Sequence, residues 1–433
     1  MNTSITTLYT LFLKYPCVST DTRKLVENSI FFALSGPNFN GNQFAKTAIE
    51  NGCALAVIDQ AEYQLNEKYI LVDDVLNSLQ ELARFHRKKM NAKIIGITGS
   101  NGKTTTKELL YQVLSRKYKT LATVGNLNNH IGVPLTLLQL TKSHEMAIIE
   151  MGASKQGDIK ELVDIAEPDF GLITNIGKAH LEGMGGYEGV IKTKTELYDF
   201  IKVSKGNLFV NTIHAVFEEK SKGIKQFTFG NTQINDVIGT YLGSSPYVQL
   251  KWKTKENNEI HEVNSQLMGA YNYENILAAI AVGVYFEVSP ELIAEAVSSY
   301  SPTNNRSQLL QTKNNSLILD AYNANPTSME AALLNFKTLP AQNKVVIIGK
   351  MMELGESAAL EHQKLVQLIN DCKFSKVFLV GEPYQEIAKD GLITVFGNVK
   401  EAIAYFENQP LSACTILIKG SRANQLELLQ PLF

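Results

Sequence analysis

The stretch Gly96-Ile97-Thr98-Gly99-Ser100-Asn101-Gly102-Lys103-Thr104-Thr105 constrains this chain more than any other. A short apolar run, Ile94–Thr98, leads into it, and a long helical pattern leaves it at Lys103. Glycines let the backbone turn tightly enough for successive N–H groups to converge on phosphate oxygens. The helix N-terminus adds its positive end. A lysine in this position reaches β/γ oxygens, and the following threonine hydroxyl suits Mg²⁺. The strict phosphate-loop pattern places its first glycine at position 97, where this chain has Ile97, with Gly96 one residue early. The strand–turn–helix context nonetheless predicts a nucleotide-phosphate site at Gly99, Ser100, Asn101, Gly102, Lys103, Thr104 and Thr105, and with it an α/β fold around a parallel sheet.

The 433-residue sequence supports two to four domains on length. Its 41 Lys and Arg against 43 Asp and Glu give a net charge of −2, which excludes binding of nucleic acid by bulk charge. Cys17, Cys53, Cys372 and Cys414 form no CxxC pair, arguing against a zinc ribbon or disulfide scaffold and for a reducing compartment. The longest apolar run, Ile276–Phe286, is too short to span a bilayer. Met1–Pro16 lacks the basic region and cleavage site of an export signal, so a cytoplasmic location without stable membrane association is expected.

Periodicity divides the chain into three α/β domains. A small N-terminal domain (1–91) has apolar runs at Ser29–Leu34 and Ala54–Ile58 and a closing helix, Val75–Lys89. A central, phosphate-loop-ATPase-like domain (92–302) has strands at Ala147–Glu150, Gly171–Ile176 and Leu208–Asn211, a β-rich stretch from Asp236 to Val263, and helices at Asn272–Phe286 and Pro290–Tyr300. Ser301–Asn305 reads as a linker. A C-terminal, Rossmann-like domain (303–433) follows, with strands at Ser316–Ala321, Lys344–Ile348, Val377–Val380 and Thr415–Ile418.

Strand ends are where ligands bind in such sheets. Glu150 ends a strand and His180 follows one, so both are candidates for the edge that carries the loop, Glu150 as a hard oxygen ligand for Mg²⁺. Lys192 and Lys194 read locally as a solvated helix face. Asn272 and Asn275, one turn apart, either offer amides to a base or ribose or cap their helix. Asp320, Asn323 and Asn325 form a polar turn suited to a nucleotide or to helix capping, and Lys419 and Arg422 place two cations at another strand end.

These elements, taken in order with Asp21-Thr22-Arg23, Asn126–Thr136, Glu150-Met151-Gly152-Ala153, His180-Leu181-Glu182-Gly183, Asn272–Asn275, Asp320–Met329 and Lys419–Arg422, resemble the Mur ligases along nearly the whole chain. Within that family they look most like the members that add D-alanyl-D-alanine. The resemblance implies ATP- and Mg²⁺-dependent amide-bond synthesis through an acyl phosphate, with UDP-N-acetylmuramoyl-tripeptide and D-alanyl-D-alanine as substrates; a monomer is expected, although the sequence itself does not give the oligomeric state. It implies roles residue by residue. Lys103, His180 and Lys194 would serve catalysis. Thr104, Glu150, His180 and a carbamylated Lys194 would hold metal. Asn272, Asn275, Arg306 and Asp320 would contact ATP. Thr22, Arg23, Asn42 and Asn129 would handle the UDP-sugar, with Asn323 and Asn325 also on substrate and Arg422 anchoring the dipeptide. Thr22, Asn42 and Lys350 stand where the family pattern leads one to expect serine, histidine and aspartate. A third-residue-adding ligase would be expected to carry Asp-Asn-Pro-Arg, which is missing here; a folylpolyglutamate-synthase-like enzyme would lack the N-terminal domain. A non-catalytic ATP switch would bind nucleotide without dipeptide-stimulated phosphate release.

Overall fold

Three sheets account for the architecture in the computed structural model, which describes residues 3–302, 306–387 and 393–433. Residues 303–305 of the expected linker lie outside the described residues. The first sheet is β1 (Val18–Ser19), β2 (Ile30–Phe32), β3 (Leu55–Ile58) and β4 (Tyr69–Leu71), parallel and in sequence order. The helix Val75–Lys89 follows, as its apolar stripe predicts. Asp74 caps it by accepting from Asn77 N–H, and His86, Arg87, Lys88 and Lys89 occupy the last turn, where the dipole favours cations. Its buried face (Val75, Leu79, Leu82, Ala83) joins one hydrophobic core with Leu137, Ile149 and Ile165 of the next unit. Arg84 and Arg87 reinforce the seam by pairing with Glu167 at 2.8 Å and Asp169 at 2.9 Å.

The second sheet comprises β5 (Lys93–Thr98), β6 (Thr120–Ala122), β7 (Met146–Glu150), β8 (Phe170–Ile173), β9 (Asn207–Asn211), β10 (Lys225–Gly230), β11 (Val237–Ser244), β12 (Tyr247–Thr254) and β13 (His261–Met268). Its order is β13-β12-β11-β10-β9-β8-β5-β7-β6. The strands from β10 to β6 are parallel, and the β-rich stretch forms an antiparallel meander added at one side. From β5 the chain first goes to β6 and β7 on one side, then to β8 and β9 on the other. The turn after β5 therefore opens into the crevice at a topological switch point, where open α/β sheets bind ligands.

The third sheet comprises β14 (Gln308–Gln311), β15 (Asn315–Asp320), β16 (Lys344–Gly349), β17 (Lys376–Val380), β18 (Ile393–Phe396) and β19 (Cys414–Lys419) in the order β14-β15-β19-β16-β17-β18. Only the β14 edge is antiparallel. Separate apolar cores cover its two faces, as a doubly wound sheet requires. Register sets Asp320 directly opposite Lys419 at the carboxyl ends of β15 and β19. The four cysteines are free thiols, and no described helix is long and apolar enough to cross a membrane.

Candidate active site

The turn after β5 has the backbone that its glycines allow. Gly99 and Gly102 take positive φ values of +145° and +77°. A Cβ on Gly99 would lie 2.0 Å from Thr174 Oγ1, and one on Gly102 would lie 2.4 Å from Asn275 Oδ1. Glycine is thus required at both positions by conformation and by close approach. Neighbouring segments hold the turn: Ser100 Oγ accepts from Gly177 N–H at 2.9 Å, Asn175 Oδ1 accepts from Asn101 N–H at 3.0 Å, and Thr174 Oγ1 donates to Asn101 O at 2.6 Å. Lys103 opens the helix Lys103–Leu114, and its Nζ curls back to Gly99 O at 2.7 Å. Burial pushes its ammonium pKa down and Arg306 adds to this, while Glu150 opposes it.

Glu150, at the end of β7, is 1% exposed. Its Oε1 accepts from Asn128 Nδ2 at 2.8 Å and from Thr104 Oγ1 at 3.2 Å, whereas its buried Oε2 has no hydrogen-bond partner. A buried carboxylate oxygen left over beside a threonine hydroxyl is costly unless something positive meets it. That donor set suits Mg²⁺, which takes one or two protein oxygens and completes its shell with phosphate and water. Asn128 was not singled out by the sequence reading. It lies within the Asn126–Thr136 stretch, but its role depends on a partner 22 residues away.

Lys194 is 1% exposed on the helix Tyr187–Ser204, which corrects the local reading of a solvated face. It makes no hydrogen bond or ion pair with a described residue. Burial, with the charge of Lys103 second, holds its pKa well below the ordinary lysine value, which shifts the balance toward the uncharged amine. His180 sits in the left-handed region at φ +52° and pairs through Nδ1 with Glu353, from the loop after β16. That contact draws the Glu353 carboxyl pKa below the usual range.

The cleft between the second and third sheets has a volume of about 950 Å³. Its walls include the loop, Glu150 and His180 on one side and Arg306, Asp320 and Asn323 on the other, with Asn129 at the rim. Arg306 stacks on Tyr322, 3.9 Å from the ring centroid, and its Nε has no hydrogen-bond partner. Asn325 Nδ2 bonds Asn101 Oδ1 at 2.8 Å and Lys178 pairs with Glu361 at 2.9 Å, which joins the loop's surroundings to the third sheet.

Other expected contacts are placed differently. Asn42 is fully buried, with its amide bonded to Asn40 and to Asp59 at 2.8 Å, so it holds the N-terminal unit together instead of presenting itself to a ligand. Asn325 caps the helix Pro326–Thr338 in a capping box. Asn272 and Asn275 do not cap: their amides bond each other, Met268 O and Thr106 Oγ1. Lys419 is 2% exposed and bonded to Asp320 at 2.6 Å, so it is a neutralised partner and no free cation. Thr22, Arg23 and Arg422 do not line the cleft; Arg23 forks onto Asp21 on an exposed turn, and Arg422 is exposed beyond β19. Lys350, the charge reversal, pairs with Glu382 at 2.6 Å on the edge of the third sheet and also lies outside the cleft lining.

Comparison with known proteins agrees with this fold. The pattern of the Mur ligase middle domain matches residues 97–283, and that of the Mur ligase glutamate ligase domain matches residues 305–422. A UDP-N-acetylmuramoyl-tripeptide–D-alanyl-D-alanine ligase from Bacillus subtilis is 34% identical, over 95% of this chain and 91% of that protein. A crystal structure of MurF from Acinetobacter baumannii superposes with a TM-score of 0.86 at 31% identity, covering 96% of this chain and 92% of that one. MurF from Thermotoga maritima, solved in complex with ADP, gives a TM-score of 0.85 at 25% identity, with 97% of each chain covered.

Proposed function

Because this chain belongs to the Mur ligase family, we propose that it is the ATP-dependent ligase that joins D-alanyl-D-alanine to UDP-N-acetylmuramoyl-tripeptide in peptidoglycan precursor synthesis. The observation that carries this reading is a cleft between two sheets holding a phosphate turn, a half-buried Lys103 and a buried Glu150 oxygen without a partner.

A carboxylate does not accept an amine until one of its oxygens is made a leaving group. In the first step a carboxylate oxygen of the tripeptide attacks the γ-phosphorus of ATP, the bond to the β-phosphate oxygen breaks, and ADP departs. In the second step the amine of D-alanyl-D-alanine attacks the acyl carbon, the amine proton is lost, and phosphate leaves with the former carboxylate oxygen. The backbone N–H groups of Gly99 to Thr105 cradle the phosphates. Lys103 neutralises charge on the transferring phosphoryl group. Thr104 and Glu150, with His180 on the wall of the same cleft, would hold Mg²⁺, which when bound screens the crowded phosphate oxygens. The uncharged amine of Lys194 is the form that adds to carbon dioxide; the resulting carbamate, after loss of a proton, is an anion beside Lys103.

Arg306 and Asp320 are assigned to the nucleotide. Thr22 and Arg23, with Asn129 at the rim, are assigned to the UDP-sugar, and Asn323 and Arg422 to the acceptor side. We take 1–91, 92–302 and 303–433 as the domains, and the protein as a cytoplasmic monomer. The test offers purified protein ATP, Mg²⁺, the UDP-muramoyl-tripeptide and a panel of dipeptides and amino acids. Phosphate release is expected with D-alanyl-D-alanine; release with L-alanine or glutamate alone would refute the assignment.

A further inference from the structure

The helix Asn272–Tyr285 begins at the cleft, yet its two asparagines have their amide atoms engaged. Asn272 Nδ2 donates to Met268 O at 2.7 Å, Asn275 Nδ2 donates to Asn272 Oδ1 at 2.8 Å, and Asn275 Oδ1 accepts from Thr106 Oγ1 at 3.1 Å. Glu274, about 100° around the helix from Asn275, is different. Its Oε2 accepts two hydrogen bonds, from Asn211 Nδ2 at 2.7 Å and from His214 Nε2 at 2.6 Å. No described residue bonds its Oε1. Glu274 and His214 both line the cleft. Asn211 is buried at the end of β9, and its own Oδ1 is fixed by Ile213 N–H at 3.1 Å. The hydrogen bond to Glu274 raises the His214 pKa, which favours the ring as an N–H donor. The carboxylate is therefore fixed through one oxygen and presents the other.

A carboxylate only accepts hydrogen bonds, so a ligand group meeting Oε1 must donate. Phosphates donate nothing. A nucleotide's donors are its ribose hydroxyls and the exocyclic amino group of its base. Asp320 lines the opposite wall with one oxygen bonded to Lys419, and the ribose is assigned to it. Resting on the ligase reading above, we infer that Glu274, aimed by Asn211 and His214, reads the exocyclic amino group of the nucleotide base and so selects adenine over 6-oxo purines. Glu274 is a binding residue here, and His214 is a positioning residue that acts through it. A site built to accept such a donor discriminates against an analogue that lacks it, because the acceptor, desolvated once the base covers it, is then left unpaired.

The test titrates the full chain calorimetrically with ADP, IDP and 2′-deoxy-ADP. Wild type is expected to bind ADP about tenfold or more tightly than IDP and to bind 2′-deoxy-ADP in step with ADP across the variants. Glu274→Ala should bring the ADP-to-IDP ratio close to one, mainly by weakening ADP. Glu274→Gln, which keeps the shape, should narrow the ratio and serves if the alanine variant fails to fold. His214→Ala should narrow it less, by about threefold. A wild-type ratio within twofold of one, or a ratio unchanged in Glu274→Ala and Glu274→Gln, overturns the inference while ADP binding keeps the ligase reading intact. Loss confined to discrimination between ADP and 2′-deoxy-ADP also overturns it, placing the carboxylate on the ribose. Absence of any nucleotide binding overturns both readings.

Discussion

The two sheet edges that face each other across the cleft treat charge in opposite ways. On the second sheet, polar groups are left with valences unspent: buried Glu150 Oε2 has no partner, buried Lys194 is paired with nothing described, and half-buried Lys103 is held only by loop carbonyls. On the third-sheet side Arg306 Nε is unpartnered too, but the strand-end charges are cancelled in pairs, Lys419 with Asp320 at the cleft and Lys350 with Glu382 outside its lining. An edge with unmet charges is built to receive a charged ligand, at some cost in stability. An edge with its charges satisfied is built to hold shape. The difference separates groups left open to the phosphates from strand-end pairs that fix the wall on which Asp320 and Arg306 are proposed to meet the nucleotide.

Substitutions can break this contrast, and the largest effect is expected at Lys103. Lys103→Ala should lower turnover by about a thousandfold while the protein stays folded; near-normal phosphate release would remove the lysine from catalysis. Lys194→Ala should cost about a hundredfold or more, with partial rescue by added short carboxylates if a carbamate is the acting form. Full activity in that variant would remove Lys194 from the mechanism. On the satisfied edge the outcome should appear in stability as well as in nucleotide affinity. Asp320→Ala leaves Lys419 buried without its partner and should destabilise the third sheet by about 3 kcal/mol, read as a lowered denaturation midpoint; an unchanged midpoint would show that the pair carries little. The smallest effect is expected at Lys350, where Lys350→Ala should leave turnover within about twofold, since Lys350 lies outside the cleft and its partner Glu382 is on the surface. A large loss there would mean that the charge reversal reaches the site.

Much of this was legible in the sequence, for identifiable reasons. The central strands β5, β7, β15, β16 and β19 are near-continuous apolar runs because both their faces are covered. The edge strands β6, β14 and β18 are short and half-exposed, so they carry little hydrophobic signal, and none was anticipated. Lys103, Thr104, Glu150 and His180 could be placed because a strand end fixes where the next residue goes. Pairings between distant segments could not. Asn128 on Glu150, Glu353 on His180 and Lys419 on Asp320 depend on how separate strands come together, and no local pattern encodes them. Lys194 shows the limit most clearly: its helix reads as solvated, yet the fold buries it. Asn42 errs the other way, a polar residue expected at a ligand and spent inside the N-terminal unit.

The central claim is that the outermost phosphorus of ATP, held at the turn before Lys103, is passed to a carboxylate oxygen of the peptide. It is tested most directly by labelling that terminal carboxylate with a heavy oxygen isotope and analysing the products by mass spectrometry. The account predicts that one labelled oxygen appears in the phosphate released with each amide bond formed. Amide formation with wholly unlabelled phosphate would contradict it.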